Sequence, residues 1–305
     1  MYNSLLYNNI SYKRIGGHRM KFNKKYLVKS PLNYTGGKFK LLPQILPLFP
    51  DNINRFIDLF TGGCNVGANV NANKIVCNDI ETTVIDLFNS LKGITSETAL
   101  GKVKETVDKY ELSKTNEEGF KKIREDYNNG DKSWYMFYSM LTHAFNYQIR
   151  FNKQGEYNMP FGRNRSSFNK NLEKNFVKFV DKLNKIDIEF FNESFNKFKI
   201  DNLTSKDLVY CDPPYLITCA SYNESDGWNE TKERELLKLL DRLNEKGVRF
   251  ALSNVFENKG KSNDILKEWS KKYNINYLNH TYGNCNYHAK DKNNNSTAEV
   301  LIINY

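Results

Sequence analysis

The chain has no run of about 18 or more apolar residues, which excludes a membrane-spanning helix. Its most apolar early stretch, Leu41 to Pro50, is interrupted by Pro43, Pro47 and Pro50. No continuous apolar segment opens the chain, so no secretory signal is read there. Cysteine is scarce: Cys64, Cys77, Cys211, Cys219 and Cys285 form an odd set without a CxxC pair. That excludes a zinc knuckle and a disulfide framework, leaves no expected metal, and points to the reducing cytoplasm. Two phosphate-binding signatures are missing as well. GxGxxG is absent in its dinucleotide form, and Phe39 follows Lys38 where a P-loop needs Ser or Thr.

What is present is a chain of 305 residues, 39% hydrophobic and 14% aromatic, far too apolar for disorder. It is long enough for one large or two modest domains with a substantial core. The formal net charge of +10 suits a polyanionic partner, although charge alone separates that from simple solubility poorly. Only ten of the 45 basic residues are Arg, so each Arg stands out as a candidate for an oriented, bidentate contact.

Residues 1–24 read as an N-terminal extension, without apolar periodicity or motif. Met20 is the expected natural start, with Gly16-Gly17 encodable as a purine-rich ribosome-binding sequence. From Arg55 onward, strand-like and helix-like runs alternate. Arg55 to Phe60, Lys74 to Asp79, Asp207 to Asp212, Val248 to Asn254 and Glu299 to Asn304 read as strands. Glu81 to Leu91 reads as a helix with Val84, Ile85 and Phe88 on one face, and Glu230 to Glu245 as a helix of leucines opposed by charges. This alternation predicts an α/β layered domain with a largely parallel sheet. Between its halves, Thr95 to Asn146 contains only helical signals. The stripes Phe120, Ile123, Tyr127 and Trp134, Phe137, Tyr138, Leu141, Phe145 read as core. Arg150 to Arg163 then reads as a β-hairpin or ordered loop turning near Gln154-Gly155. The expected division is 25–91 and 193–305 as one α/β core, interrupted by a mainly helical insertion over 92–192.

Three blocks carry chemistry. Asp212-Pro-Pro-Tyr215 follows an apolar strand, and a carboxylate at such a strand end lies in the crevice where open α/β sheets bind ligands. Two prolines fix the backbone and remove two amide donors, which frees carbonyls to face a ligand. A carboxylate, a fixed carbonyl and an aromatic ring suit a planar substrate bearing an exocyclic amine. The bland reading is a Pro-Pro turn with an incidental acid. The second block is Asp58-Leu-Phe60-Thr-Gly62-Gly63, with Asp79 ending the next strand 21 positions after Asp58, the spacing at which an acid reaches ribose hydroxyls. The third, Tyr34-Thr-Gly-Gly-Lys38, is by itself only a turn.

In this order the blocks resemble the DNA adenine methylase (Dam) group, the D12 class of site-specific DNA adenine-N6 methyltransferases. The resemblance covers roughly residues 31–305 and includes Asn78-Asp79-Ile80, Leu252-Ser-Asn254, Phe145-Asn146, Arg150-Phe-Asn152 and Gly155-Glu-Tyr-Asn-Met-Pro160-Phe-Gly-Arg163. It implies a Rossmann-like S-adenosylmethionine-dependent methyltransferase core, with the insertion, hairpin included, as a target-recognition domain. It implies cofactor contacts at Tyr34, Lys38, Asp58, Phe60, Gly62, Asp79 and Asp212, with Asp79 on the ribose and Lys38 on the methionine carboxylate. Asp212, Pro213 and Tyr215 become the adenine pocket. Arg150 and Pro160 become readers of base edges, Phe145 and Asn146 fill the gap beside a displaced base, and Asn152 belongs to the same DNA-contacting block. Arg163 is expected on a phosphate or in the fold of its own loop. Cys64 stands where the group's cofactor turn usually has a third glycine, and Asn33, Tyr147 and Gln148 also depart from the pattern.

The implied activity is methyl transfer to N6 of adenine in double-stranded DNA after base flipping, with GATC the leading target. A restriction endonuclease is a possible functional partner, and no membrane is implied; a solitary or phage-borne role is the other setting. The rivals are methylation of RNA adenine or cytosine N4, and a catalytically inactive DNA-binding subunit. The Lys290 to Ser296 loop reads as a solvated hairpin loop.

Overall fold

The computed structural model describes residues 12–15, 18–21, 26–218, 227–279 and 297–305. Cys219, Cys285 and the Lys290 to Ser296 loop lie outside the described residues. Within the N-terminal extension, β1 (Tyr12–Ile15) pairs antiparallel with β2 (His18–Lys21), a ribbon that the absence of apolar periodicity did not announce.

After the short helix α1 (Leu42–Ile45), β3 (Arg55–Asp58) and β4 (Lys74–Asn78) lead into α2 (Thr82–Leu91). The Glu81 side chain caps α2 by accepting from the Thr83 amide, and Val84, Ile85, Leu87, Phe88 and Leu91 are buried. Four more helices follow: α3 (Ser96–Lys109), α4 (Glu117–Asn129), α5 (Trp134–Leu141) and α6 (Lys170–Leu183). The chain then enters β5 (Ile188–Phe191), β6 (Leu208–Cys211), α7 (Glu230–Glu245), β7 (Arg249–Asn258), β8 (Lys261–Ser262), α8 (Asp264–Ser270), β9 (Asn274–Leu278) and β10 (Thr297–Ile303). Helix α7 starts where the Asn229 side chain accepts from the Lys232 amide, and it buries Leu236, Leu237, Leu239, Leu240 and Leu243.

The sheet runs β5-β4-β3-β6-β7-β10-β9, with β8 attached to β7. Strands β3 to β7 pair in parallel, whereas β10 is antiparallel to both β7 and β9. Its strands are apolar on both faces, as a covered parallel sheet requires. Alternate residues feed two cores: Phe56, Ile75, Leu208, Tyr210 and Leu301 face one layer, and Ile57, Val76, Val209, Cys211 and Val300 the other. The first core continues through Val103, Phe120, Ile123, Tyr127, Phe137 and Phe176, so α3 to α6 share the apolar interior of that sheet face. Helices α7 and α8 cover the opposite face through Leu236, Leu240 and Leu266. This mostly parallel sheet between helical layers is the α/β architecture that the alternation of strands and helices predicts. Among the described residues, no helix is long and apolar enough to cross a membrane.

One expected core residue is not core. Phe145 is 38% exposed, because α5 ends at Leu141 and the helical repeat stops there. It sits instead in a single tight turn in which Asn146 and Tyr147 both have φ of 54°.

From β3 the sheet grows outward through β4 and β5, then restarts on the other side of β3 with β6. That reversal opens a crevice at the carboxyl ends of β3 and β6. Asp58 is the last residue of β3, Asp79 directly follows β4 and Asp212 directly follows β6.

Candidate active site

Asp212 is held by one oxygen only. Its Oδ1 accepts from the Lys38 ammonium at 2.9 Å and from the Tyr215 hydroxyl at 2.9 Å. Among the described residues Oδ2 has no hydrogen-bond partner, and the side chain remains 17% exposed. Pro213 is buried and Pro214 exposed. Burial pushes the Asp212 carboxyl up from the ordinary range, and the facing Lys38 charge opposes that shift. The Tyr215 hydroxyl is pushed well up by burial and by the negative charges of Asp212 and Glu299.

Lys38 is itself buried, donates to the Gly36 carbonyl at 2.8 Å, and lies 5.0 Å from the centre of the Tyr215 ring. Its ammonium also stands 3.5 Å from Oε1 of Glu299, which lies 3.2 Å from the Tyr215 hydroxyl. Glu299 is 1% exposed on β10 and escaped the sequence reading. The signal was there: a single acid opening the apolar run Val300 to Ile303 has no reason to be buried unless it meets a cation or a donor.

A second group surrounds the turn after β3. Asp58 is buried; its Oδ2 accepts from the Thr61 hydroxyl at 3.2 Å, while Oδ1 has no hydrogen-bond partner among the described residues. Burial, and after it the charge of Asp212, pushes the Asp58 carboxyl up to about 8. Asp79 joins two strand ends, accepting from the Gly62 amide at 2.7 Å and the Glu81 amide at 3.0 Å. Phe60 packs on Phe195 and Trp228 at ring separations of 5.4 and 5.6 Å. Gly62 has φ of +45°, and a Cβ there would sit 2.9 Å from the Tyr34 ring. Gly62→Ala is therefore expected to cost about 1–2 kcal/mol in backbone strain alone, read as a lowered midpoint of thermal unfolding. Cys64 also takes the left-handed conformation, with φ of 56°.

Ile80 was read in the Asn78-Asp79-Ile80 block but given no role of its own. It follows Asp79, is 73% exposed, and lines a cavity of about 450 Å³ with Glu81, Asp86, Tyr127, Lys132 and Trp134. An aliphatic side chain left open beside a buried acid is the kind of surface that packs on a flat ligand.

The remaining predicted residues form a third group on the loop between α5 and α6. Arg150 donates from Nε to Oδ1 of Asn158 at 2.7 Å and from Nη2 to the Asn158 carbonyl at 2.8 Å. Asn152 folds the intervening turn, its Oδ1 accepting from the Gln154 and Glu156 amides. The Pro160 carbonyl accepts from the Phe145 amide at 2.8 Å, and Arg163 pairs with Glu117 at the start of α4. Arg165 lies over the Phe145 ring, and Asn33, next to Tyr34, donates to the Asn146 carbonyl at 3.0 Å. That last bond ties the third group to the loop carrying Lys38. Among the described residues no set of three or more His, Cys, Asp or Glu side chains is placed to hold a metal.

Residues 34–284 match the family described as D12 class N6 adenine-specific DNA methyltransferase. The chain is 49% identical over 282 residues to the type II methyltransferase M.FokI of Planomicrobium okeanokoites, covering 91% of this chain and 43% of that protein. It is 47% identical over 299 residues to the modification methylase StsI of Streptococcus sanguinis, covering 96% of this chain and 45% of the relative. The chain thus spans less than half the length of these two relatives. The DNA adenine methylase of Escherichia coli K12 is 25% identical over 246 residues, 77% of this chain and 82% of that protein. On the extent of the family match and the identity to these methylases, the chain belongs to the D12 class of N6 adenine-specific DNA methyltransferases.

Proposed function

We propose that this chain transfers a methyl group from S-adenosylmethionine to N6 of adenine in double-stranded DNA. The observation that carries the reading is the asymmetry of Asp212: Oδ1 is locked by Lys38 and Tyr215, and among the described residues Oδ2 is left without a partner at the sheet's switch point.

The residues present fit the cofactor. Asp58 offers a buried, unpartnered oxygen to a ligand cation, and Asp79 and Ile80 stand side by side at the next strand end. Tyr34, Asp58, Phe60, Gly62 and Asp79, with Ile80 added, would hold it; the Lys38 ammonium is engaged with Asp212 and Glu299 in this structure. When bound, the cofactor supplies an electrophilic methyl group on a sulfonium. The chain's own task is to make a poor nucleophile competent, since the adenine amine's lone pair is delocalised into the ring. Oδ2 of Asp212 and the Pro213 carbonyl accept the two N–H bonds, which favours a pyramidal nitrogen with a localised pair. Tyr215, tethered through its hydroxyl, presents its ring to the base.

Reaching that pocket requires the adenine to leave the duplex, at a cost of about a few kcal/mol. Phe145 and Asn146, on their strained and exposed turn, fill the vacated space, and lysines on phosphates give binding that weakens with salt. Pro160, Asn152 and Arg163 build the surrounding loop. With Nε and one Nη2 hydrogen spent on Asn158, Arg150 keeps its outer edge for a guanine. Arg150→Ala is expected to lose about 1–3 kcal/mol of discrimination at one base of the target, read as relaxed sequence preference in methylation of mismatched duplexes. Asn158→Ala moves the same readout in the same direction.

M.FokI and StsI carry the names type II methyltransferase and modification methylase, which supports a restriction–modification role, a cognate endonuclease as functional partner and a cytoplasmic site of action. Label from methyl-tritiated cofactor, recovered as N6-methyladenine after digestion of a duplex, tests the reading. Label in cytosine, in RNA alone or nowhere overturns it, and modified-base sequencing tests GATC as the target.

A further inference from the structure

Glu299 belongs to none of the motifs, yet it stands in the centre of the site. One ammonium and one phenolic proton lie between two carboxylates there. Lys38 is 2.9 Å from Asp212 and 3.5 Å from Glu299, and the Tyr215 hydroxyl is 2.9 Å from Asp212 and 3.2 Å from Glu299. A hydroxyl has a single proton and donates fully to one acceptor at a time. A carboxylate that received all of Lys38 and all of Tyr215 would be a weak acceptor for a third donor, because each hydrogen bond withdraws charge from it.

We propose that Glu299 is a positioning residue that takes a share of Lys38 and of the Tyr215 proton, so that Asp212 keeps a strongly basic oxygen for the substrate amine. The inference rests on the proposed adenine-methylating site and deepens it. As the amine's nitrogen pair forms the new C–N bond, the C–S pair departs with sulfur, and the surplus N–H proton passes to Asp212. Both the hydrogen bond before transfer and the proton uptake after it are favoured by a more basic Asp212. Glu299 supplies that basicity by its negative charge, held on β10 where water cannot screen it. Among the described residues the groups facing Asp212 are Lys38, Tyr215 and Glu299, with the buried Asp58, Tyr210 and Cys211 acting at longer range. Lys38 lowers its proton affinity, and Glu299 raises it.

The test is the pH dependence of single-turnover methyl transfer to a saturating duplex. Glu299→Gln keeps an acceptor for Tyr215 and removes the negative charge. Its plateau rate is expected to fall about tenfold, and its acid limb to move to lower pH, with the KM for DNA within about threefold of the parent. Glu299→Asp is expected to restore part of both losses. Lys38→Met is expected to move the limb the other way, since two carboxylates then face each other without a cation. A Glu299→Gln profile that overlays the parent, or moves to higher pH, overturns the proposal. Should that variant fold poorly, an unmoved limb in Lys38→Met overturns it equally, by showing that the cluster is not coupled. Failure of the underlying reading looks different, because the parent chain would then give no N6-methyladenine at any pH.

Discussion

Asp212→Ala is expected to lower methyl transfer by about 10³-fold or more, while leaving the fold and cofactor binding nearly intact. The size follows from the role proposed for the side chain: its Oδ2 has no partner among the described residues, and the Pro213 carbonyl alone cannot hold both N–H bonds of an amine. The spared fold follows from Glu299. Removing Asp212 would ordinarily leave Lys38 as a buried unpaired ammonium, a change that costs about 3–5 kcal/mol. Here Glu299 remains 3.5 Å from that ammonium and takes it over. Rapid-quench measurement of labelled methyl transfer, beside thermal unfolding, checks both halves. Turnover within about tenfold of the parent would remove Asp212 from the chemistry.

The second large effect concerns pH and cofactor affinity. In the free protein Asp58 has its carboxyl raised to about 8 by burial and by the charge of Asp212, so it is protonated at neutral pH. A bound cation favours the ionised form, and Asp58 must release its proton to meet one. Affinity is therefore expected to rise about tenfold per pH unit up to about 8 and then level off. At pH 7 cofactor binding should release close to one proton, measurable by calorimetry in buffers of different ionisation enthalpy. The same shift has a signed consequence for folding. The folded free protein holds this proton between the unfolded carboxylate range and about 8, so its stability falls as pH rises across that window. Asp58→Asn is expected to flatten both dependences. A cofactor affinity independent of pH between 6 and 8 would show that no cation is received at Asp58.

Much of the framework was legible because its causes are local. Helix α7 was readable to the residue: leucines recur at helical spacing, and Asn229 caps the first turn. The strand ends beside Asp79 and Asp212 were readable to within a residue because apolar runs stop at acids and prolines whose backbone preferences act within a few residues, whereas the first strand, read to Phe60, stops two residues earlier at Asp58. Other features were not readable, because they are pairings between distant segments. The sequence shows β10 as a strand but not that it inserts antiparallel between β7 and β9. Nothing within the Phe145 heptad says that α5 stops at Leu141 and turns the ring outward.

The amino-acid order by itself determined the α/β class and the Asp212-Pro-Pro-Tyr215 turn at a strand end, since short-range sterics and hydrophobic periodicity set these. Only the tertiary structure decided which oxygen of Asp212 is committed, how far burial lifts Asp58, and that Glu299 shares Lys38. Each of those depends on charges brought together across the sheet from positions as far apart as 38, 212 and 299, where exclusion of water makes their mutual field strong.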